Sequence, residues 1–179
     1  MKPRIRTALG LALALLLLAA PTLAQSSLQT KRTPEQYNLP KKTKLALQGY
    51  DPVAYFTEGG GKAKKGKAAL SHTHGGVTYR FTSEKTRELF KKNPAKYEPA
   101  YGGWCAFAMA DGKKVSINPK SFKVTNGRLF LFYTSLLTNT RKSWVKKEGS
   151  LLPKADANWK KLTGEAPRKA SQTAKEAGR

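Results

Sequence analysis

The chain has 179 residues, with 34 Lys and Arg against 11 Asp and Glu and a formal net charge of +23, a balance that favours anionic partners. Its single cysteine excludes an internal disulfide and any structural four-cysteine zinc centre. The length suits one domain with its own hydrophobic core.

Residues 1–24 place Lys2, Arg4 and Arg6 ahead of an apolar run at 8–20, with small residues at Thr22 and Ala24, the pattern of a secretory signal peptide cut after Ala24. The run falls short of the roughly 20 apolar residues that a spanning helix needs. The expectation is a product exported to the periplasm or the extracellular space, with no transmembrane segment in the mature chain. Cleavage removes three basic residues and no acid, which leaves 31 against 11, or +20. The remaining lysines are dispersed, at Lys41 and Lys42, Lys62 to Lys67, Lys146 and Lys147, Lys160 and Lys161, without the interleaved aromatics of a nucleic-acid-reading surface. Dispersal and export argue against nucleic acid and for an anionic envelope surface or lipid headgroups. A merely solvated basic surface is the plain alternative.

Residues 25–44 are polar and basic and read as an extended lead-in with little to bury. In "LALQGYDPVAYF" (45–56) a short apolar strand meets a Gly-Tyr-Asp-Pro turn, where Asp51 is placed to cap a helical turn opened by Pro52. A glycine and lysine loop follows. Leu70, His72 and His74, then Gly75-Gly76, then Val77, Tyr79 and Phe81 spell a β-hairpin. Ser83 caps a helix that carries Leu89 and Phe90 and ends near Asn93, before Pro94. Asn126-Gly127 turns a second hairpin. The segment "LLTNTRKSWVKKEG" reads as a helix with Leu137, Trp144 and Val145 inward, and "PKADANWKKL" as a last short helix anchored by Trp159 and Leu162. Residues 163–179 read as a disordered basic tail. Hairpins alternating with short helices predict a single α+β domain, a small antiparallel sheet packed with helices.

Residues 49–56 (GYDPVAYF), the helix over 83–97 and the Tyr-Gly-Gly-Trp-Cys segment at 101–106 resemble the YHS-domain family, in an exported branch that carries a Tyr-Gly-Gly-aromatic-Cys segment. With "NWKKL" included, the resemblance covers about residues 45–162. It implies metal handling, copper first, since many members act in or beside copper-transporting pumps through cysteines after the Asp-Pro-Val and at the helix start. Here Ala54, Thr82 and Thr86 stand at those places, so those ligands do not carry over. Relatives of the exported branch keep a Cys, sometimes selenocysteine, at the position of Cys105.

The soft-metal donors outside the signal segment are His72, His74, Cys105 and Met109. The histidines, two apart on a strand, share a face; Cys105 and Met109, four apart, share one if helical. Two imidazoles, a thiolate and a thioether are the donor set of copper electron-transfer sites. The plain alternative is that the thiol and thioether are core and the histidines merely exposed. A second candidate is a small-ligand or thiol-redox site in which Tyr50, Asp51, Tyr55, Tyr101 and Trp104 surround Cys105. No Cys-x-x-Cys, Gly-x-Ser-x-Gly or His-Glu-x-x-His motif occurs, which favours a binding module over an enzyme. The leading expectation is thus a copper-binding YHS module, followed by a thiol or small-ligand module, then a basic envelope-interaction protein without a ligand.

Overall fold

A computed structural model describes residues 32–168, so the predicted signal peptide and the last eleven residues lie outside the described residues. Two antiparallel two-stranded sheets and four helices make one α+β body. The expected fold class is therefore what the chain adopts, with the hairpins forming two separate sheets rather than one.

The first hairpin joins β1 (Lys67–His74) to β2 (Val77–Phe81), and the second joins β3 (Asn118–Thr125) to β4 (Arg128–Phe132). Both turns are tight because their central residues accept positive φ, 60° and 78° at Gly75-Gly76 and 50° and 67° at Asn126-Gly127, as the right-handed twist of a two-residue hairpin requires. Helix α1 (Glu84–Lys92) starts as its sequence dictates: the Ser83 hydroxyl accepts from the Thr86 N–H, and Asn93 ends the helix before Pro94. Short helices α2 (Pro94–Tyr97) and α3 (Ala106–Met109) follow.

Strand β4 divides the core. Its side chains alternate between faces, so Leu129 and Leu131 join Val53, Tyr55, Tyr79, Phe81 and Phe90 on one side. Phe130 and Phe132 join Tyr101, Met109, Trp144 and Trp159 on the other. Helix α4 (Thr140–Thr163) covers this second half as two helical pieces meeting at a kink at Lys147, with Pro153 inside the second; two helices were expected, and they join at Lys147 rather than being separated near residues 150–152.

Four expectations need correction, three of them at α4. The Asn139 side chain accepts from the Lys142 N–H and so starts the helix at Thr140, which leaves Leu137 in the preceding turn at 94% exposure. Val145 and Leu162 are half exposed, while Trp144, Ala155 and Trp159 are the residues that face inward. The strand expected at 45–48 is instead a 3-10 turn over Ala46–Gly49.

The body also extends past 45–162 at both ends. Arg32 and Tyr37 are buried in the supposed lead-in, and Glu165 is buried in the supposed tail. Arg32 donates to Glu165 at 2.7 Å and to the carbonyls of Pro99 and Ala100 at 2.7 Å each. The chain at 36–38 runs over the 101–103 turn, where Gly102 has φ 60° and a Cβ would strike the Gln36 carbonyl. Glycine at 102 is thus what lets the lead-in lie down.

Candidate functional site

His72 and His74 do share a face. They pair with Tyr79 and Val77 across the hairpin, whose side chains point into the core, so both imidazoles lie at the rim of the core-facing side. Each presents an edge to Phe90, at 6.3 and 6.0 Å between ring centroids. Burial lowers the His72 pKa from its ordinary value, and the nearby charges of Lys91, His74 and Arg87 lower it further. Both effects favour the neutral imidazole, the form that ligates metal.

Cys105 is sealed inside. It is the residue just before α3, with 0% exposure, in the half of the core that holds Leu131. Its sulfur accepts the Tyr133 N–H at 3.3 Å and lies 3.5 Å from the Thr140 hydroxyl. That hydroxyl spends its own hydrogen on the Tyr133 carbonyl at 2.7 Å, so the thiol is the donor in the second contact. Cys105 thereby ties the start of the 133–140 connection to its end. Met109 is also fully buried but lies across β4 in the other half, beside Trp144 and Trp159.

The sulfur pair is thus split between the two core halves, Cys105 in the half that also holds Phe90 and Tyr79 and Met109 in the other. Among the described residues, no three of His, Cys, Asp or Glu gather into a group able to hold a metal ion. These residues do not fit the four-donor copper arrangement, since one donor is sealed and hydrogen-bonded and another faces the opposite core half.

The aromatic set is also dispersed. Tyr55 gives its hydroxyl to the Pro119 carbonyl at 3.0 Å on one side of β4. Tyr101 gives its hydroxyl to Asp156 at 2.8 Å on the other. The Trp104 indole N–H donates to the Gln36 carbonyl at 3.0 Å, and Tyr50 is half-buried in a bridge to Lys65. Asp51 is fully buried and accepts from the backbone of Val53, Ala54 and Thr82. The polar tips of Asp51, Tyr55, Tyr101 and Trp104 thus answer to protein rather than to a shared cavity, the usual fate of buried polar groups.

What the structure does show is that most described carboxylates are paired or buried. Glu98 and Glu165 are buried against Arg32 and Arg168. Glu58, Glu84, Glu88, Glu148 and Asp156 are each paired with Lys96, Arg87, Lys91, Lys123 and Arg128 respectively. Among the described residues this leaves only Glu35 and Asp111 outside an ion pair or a buried hydrogen-bond set. The exposed lysines at 62, 64, 65, 113, 114, 146, 147, 160 and 161 therefore meet solvent with little local compensation. Counting charges gave the sign of this field but not its concentration outward, which depends on where each carboxylate finds its partner. The Asn139 cap ahead of Thr140 was the sequence signal that would have placed Leu136 and Leu137 outside the helix.

No family model, no curated protein and no solved structure matches the chain. Among the described residues, no helix is long and apolar enough to cross a membrane.

Proposed function

We propose that the protein is an exported binding module of the YHS type whose cationic surface engages anionic material of the cell envelope. The observation that carries this reading is the inward or paired disposition of nearly every described carboxylate, which leaves a surface field of one sign. Such a field raises the local concentration of polyanions and is screened by salt. The resemblance at 49–56, 83–97 and 101–106 supports the YHS assignment, and the basic, apolar and small-residue order of 1–24 supports export.

The chain freed of residues 1–24 is expected to bind polyphosphate at about 0.15 M salt and to release it near 1 M, where the screening length shrinks from about 8 to about 3 Å. Replacing Lys62, Lys64, Lys65 and Lys67 together by Gln lowers the salt at which it elutes. Absence of binding at the lower salt, by equilibrium dialysis, overturns the reading.

A narrower second reading keeps copper, favoured by the two imidazoles on one face of β1, with the surroundings of His72 favouring its neutral form. Its donors are then His72 and His74 alone, beside the opposing charges of Lys91 and Arg87. In a Cu(II) titration, any bound copper is expected to disappear in His72→Ala and His74→Ala and to persist in Cys105→Ala. Loss in Cys105→Ala instead would mean that the sealed sulfur is a ligand and would overturn this reading.

A further inference from the structure

The connection from β4 to α4 is a short, closed turn. Thr134 bridges Asn139 in antiparallel fashion, the Ser135 N–H donates to the Thr138 carbonyl at 2.9 Å, and the Thr140 N–H donates to the Tyr133 carbonyl at 3.2 Å. Its base is pinned from below by the Cys105 sulfur. The two central residues are Leu136 and Leu137, at 99% and 94% exposure. The two hairpin turns described above use Gly-Gly and Asn-Gly. Scattered single apolar residues on a surface are ordinary. Two adjacent leucines held outward at the apex of a hydrogen-bonded turn are not scattered.

The surrounding charge is as specific. The first turn of α4 carries Arg141 and Lys142 and no acid, an order that the helix dipole opposes. Lys146 follows one turn later, and all three cations are exposed. An apolar groove on a protein would take the leucines and leave the cations without gain. A soluble polyanion would take the cations and leave the leucines in water. An anionic bilayer takes both, with acyl chains below and negative headgroups at the level of the lysines.

Building on the anionic-surface reading, we propose that this turn is a membrane-docking tip: Leu136 and Leu137 enter the acyl boundary of an anionic bilayer while Arg141, Lys142 and Lys146 contact its headgroups. The attachment is interfacial, consistent with the lack of a spanning helix among the described residues.

The test is sedimentation of the chain freed of residues 1–24 with vesicles of phosphatidylglycerol and phosphatidylethanolamine, in parallel with polyphosphate binding. The double variant Leu136→Ser, Leu137→Ser is expected to lose at least about tenfold in vesicle partitioning, from the apolar area no longer transferred. Its melting temperature and polyphosphate affinity are expected to stay unchanged, because neither leucine packs on the body. Vesicle partitioning equal to that of the unaltered chain overturns the docking tip and leaves the anionic-surface reading standing. Failure of the unaltered chain to bind either vesicles or polyphosphate overturns both.

Discussion

Replacing Glu98 by alanine is expected to lower the unfolding free energy by about 3–5 kcal/mol, the cost of removing one partner from a buried ionic cluster. Glu98 accepts from the Tyr37 and Tyr79 hydroxyls at 2.6 Å each on one oxygen, and from Arg168 at 2.8 Å on the other, with Arg32 at 4.0 Å. Arg32 is held in turn by Glu165 and lies over the rings of Tyr37 and Trp159, at 5.7 and 5.5 Å from their centroids. The four charges balance, two of each sign, and the cluster brings residues 32, 98 and 168 together. Truncating Glu98 leaves a net positive charge and two hydroxyls unpaired in the interior. A domain of this size has only about 5–15 kcal/mol in total, so urea unfolding at neutral pH would show the change plainly. A loss under about 1 kcal/mol would mean that the arginines relax to water and that the ends are not clamped.

Acid reports on the same cluster. Burial pushes the Glu98 carboxyl up, but the charges of Arg168 and Arg32 and the two donated hydroxyl hydrogen bonds outweigh it and hold the pKa below its ordinary 4.5. A depressed carboxylate contributes its full stabilisation above its unfolded pKa and loses it as the pH falls through the folded one. The unaltered chain should therefore weaken as the pH drops below about 4.5, and Glu98→Gln should weaken less steeply over that window while starting from a lower stability.

The features readable from sequence are those whose chemistry is local. Gly75-Gly76 and Asn126-Gly127 fix their hairpins through φ alone, and Ser83 and Asn93 bound α1 through bonds within four residues of themselves. The clamp was illegible for the opposite reason: Arg32 and Glu165 meet across 133 positions, and nothing in a stretch of polar residues says that its arginine will be buried. The pairing of Cys105 with Met109 failed at a third level. Their four-residue spacing is correct, but Cys105 precedes α3 and β4 sends alternate side chains into different core halves, so proximity in sequence does not become a shared pocket. The histidine face was readable because the period of a strand is insensitive to what surrounds it.

Asp51 is the second residue whose loss should be felt across the molecule. One carboxylate oxygen accepts from the N–H groups of Val53 and Ala54, at 2.9 and 3.3 Å; the other accepts from the Thr82 N–H and hydroxyl at 2.8 Å each. The first pair caps the turn opened by Pro52, as the Asp-Pro spacing predicts. The second pair reaches 31 residues along the chain to the junction of β2 and α1. One buried side chain thus fixes the Gly-Tyr-Asp-Pro-Val segment to the hairpin that carries His72 and His74. Asp51→Ala strands four donors at a fully buried position, and with about 1–3 kcal/mol for a buried group left unpaired and partial relief by water, a total loss of about 3 kcal/mol is expected. Asp51→Asn keeps one acceptor oxygen but turns an amide N–H toward donors, so it should recover less than half of that. The coupling is separable by a double-mutant cycle with Thr82→Val, which removes the hydroxyl donor while keeping the backbone N–H. If the two substitutions add within about 0.5 kcal/mol, Asp51 acts only as a local cap and the link to α1 must be carried by packing around Phe81 and Phe90 instead.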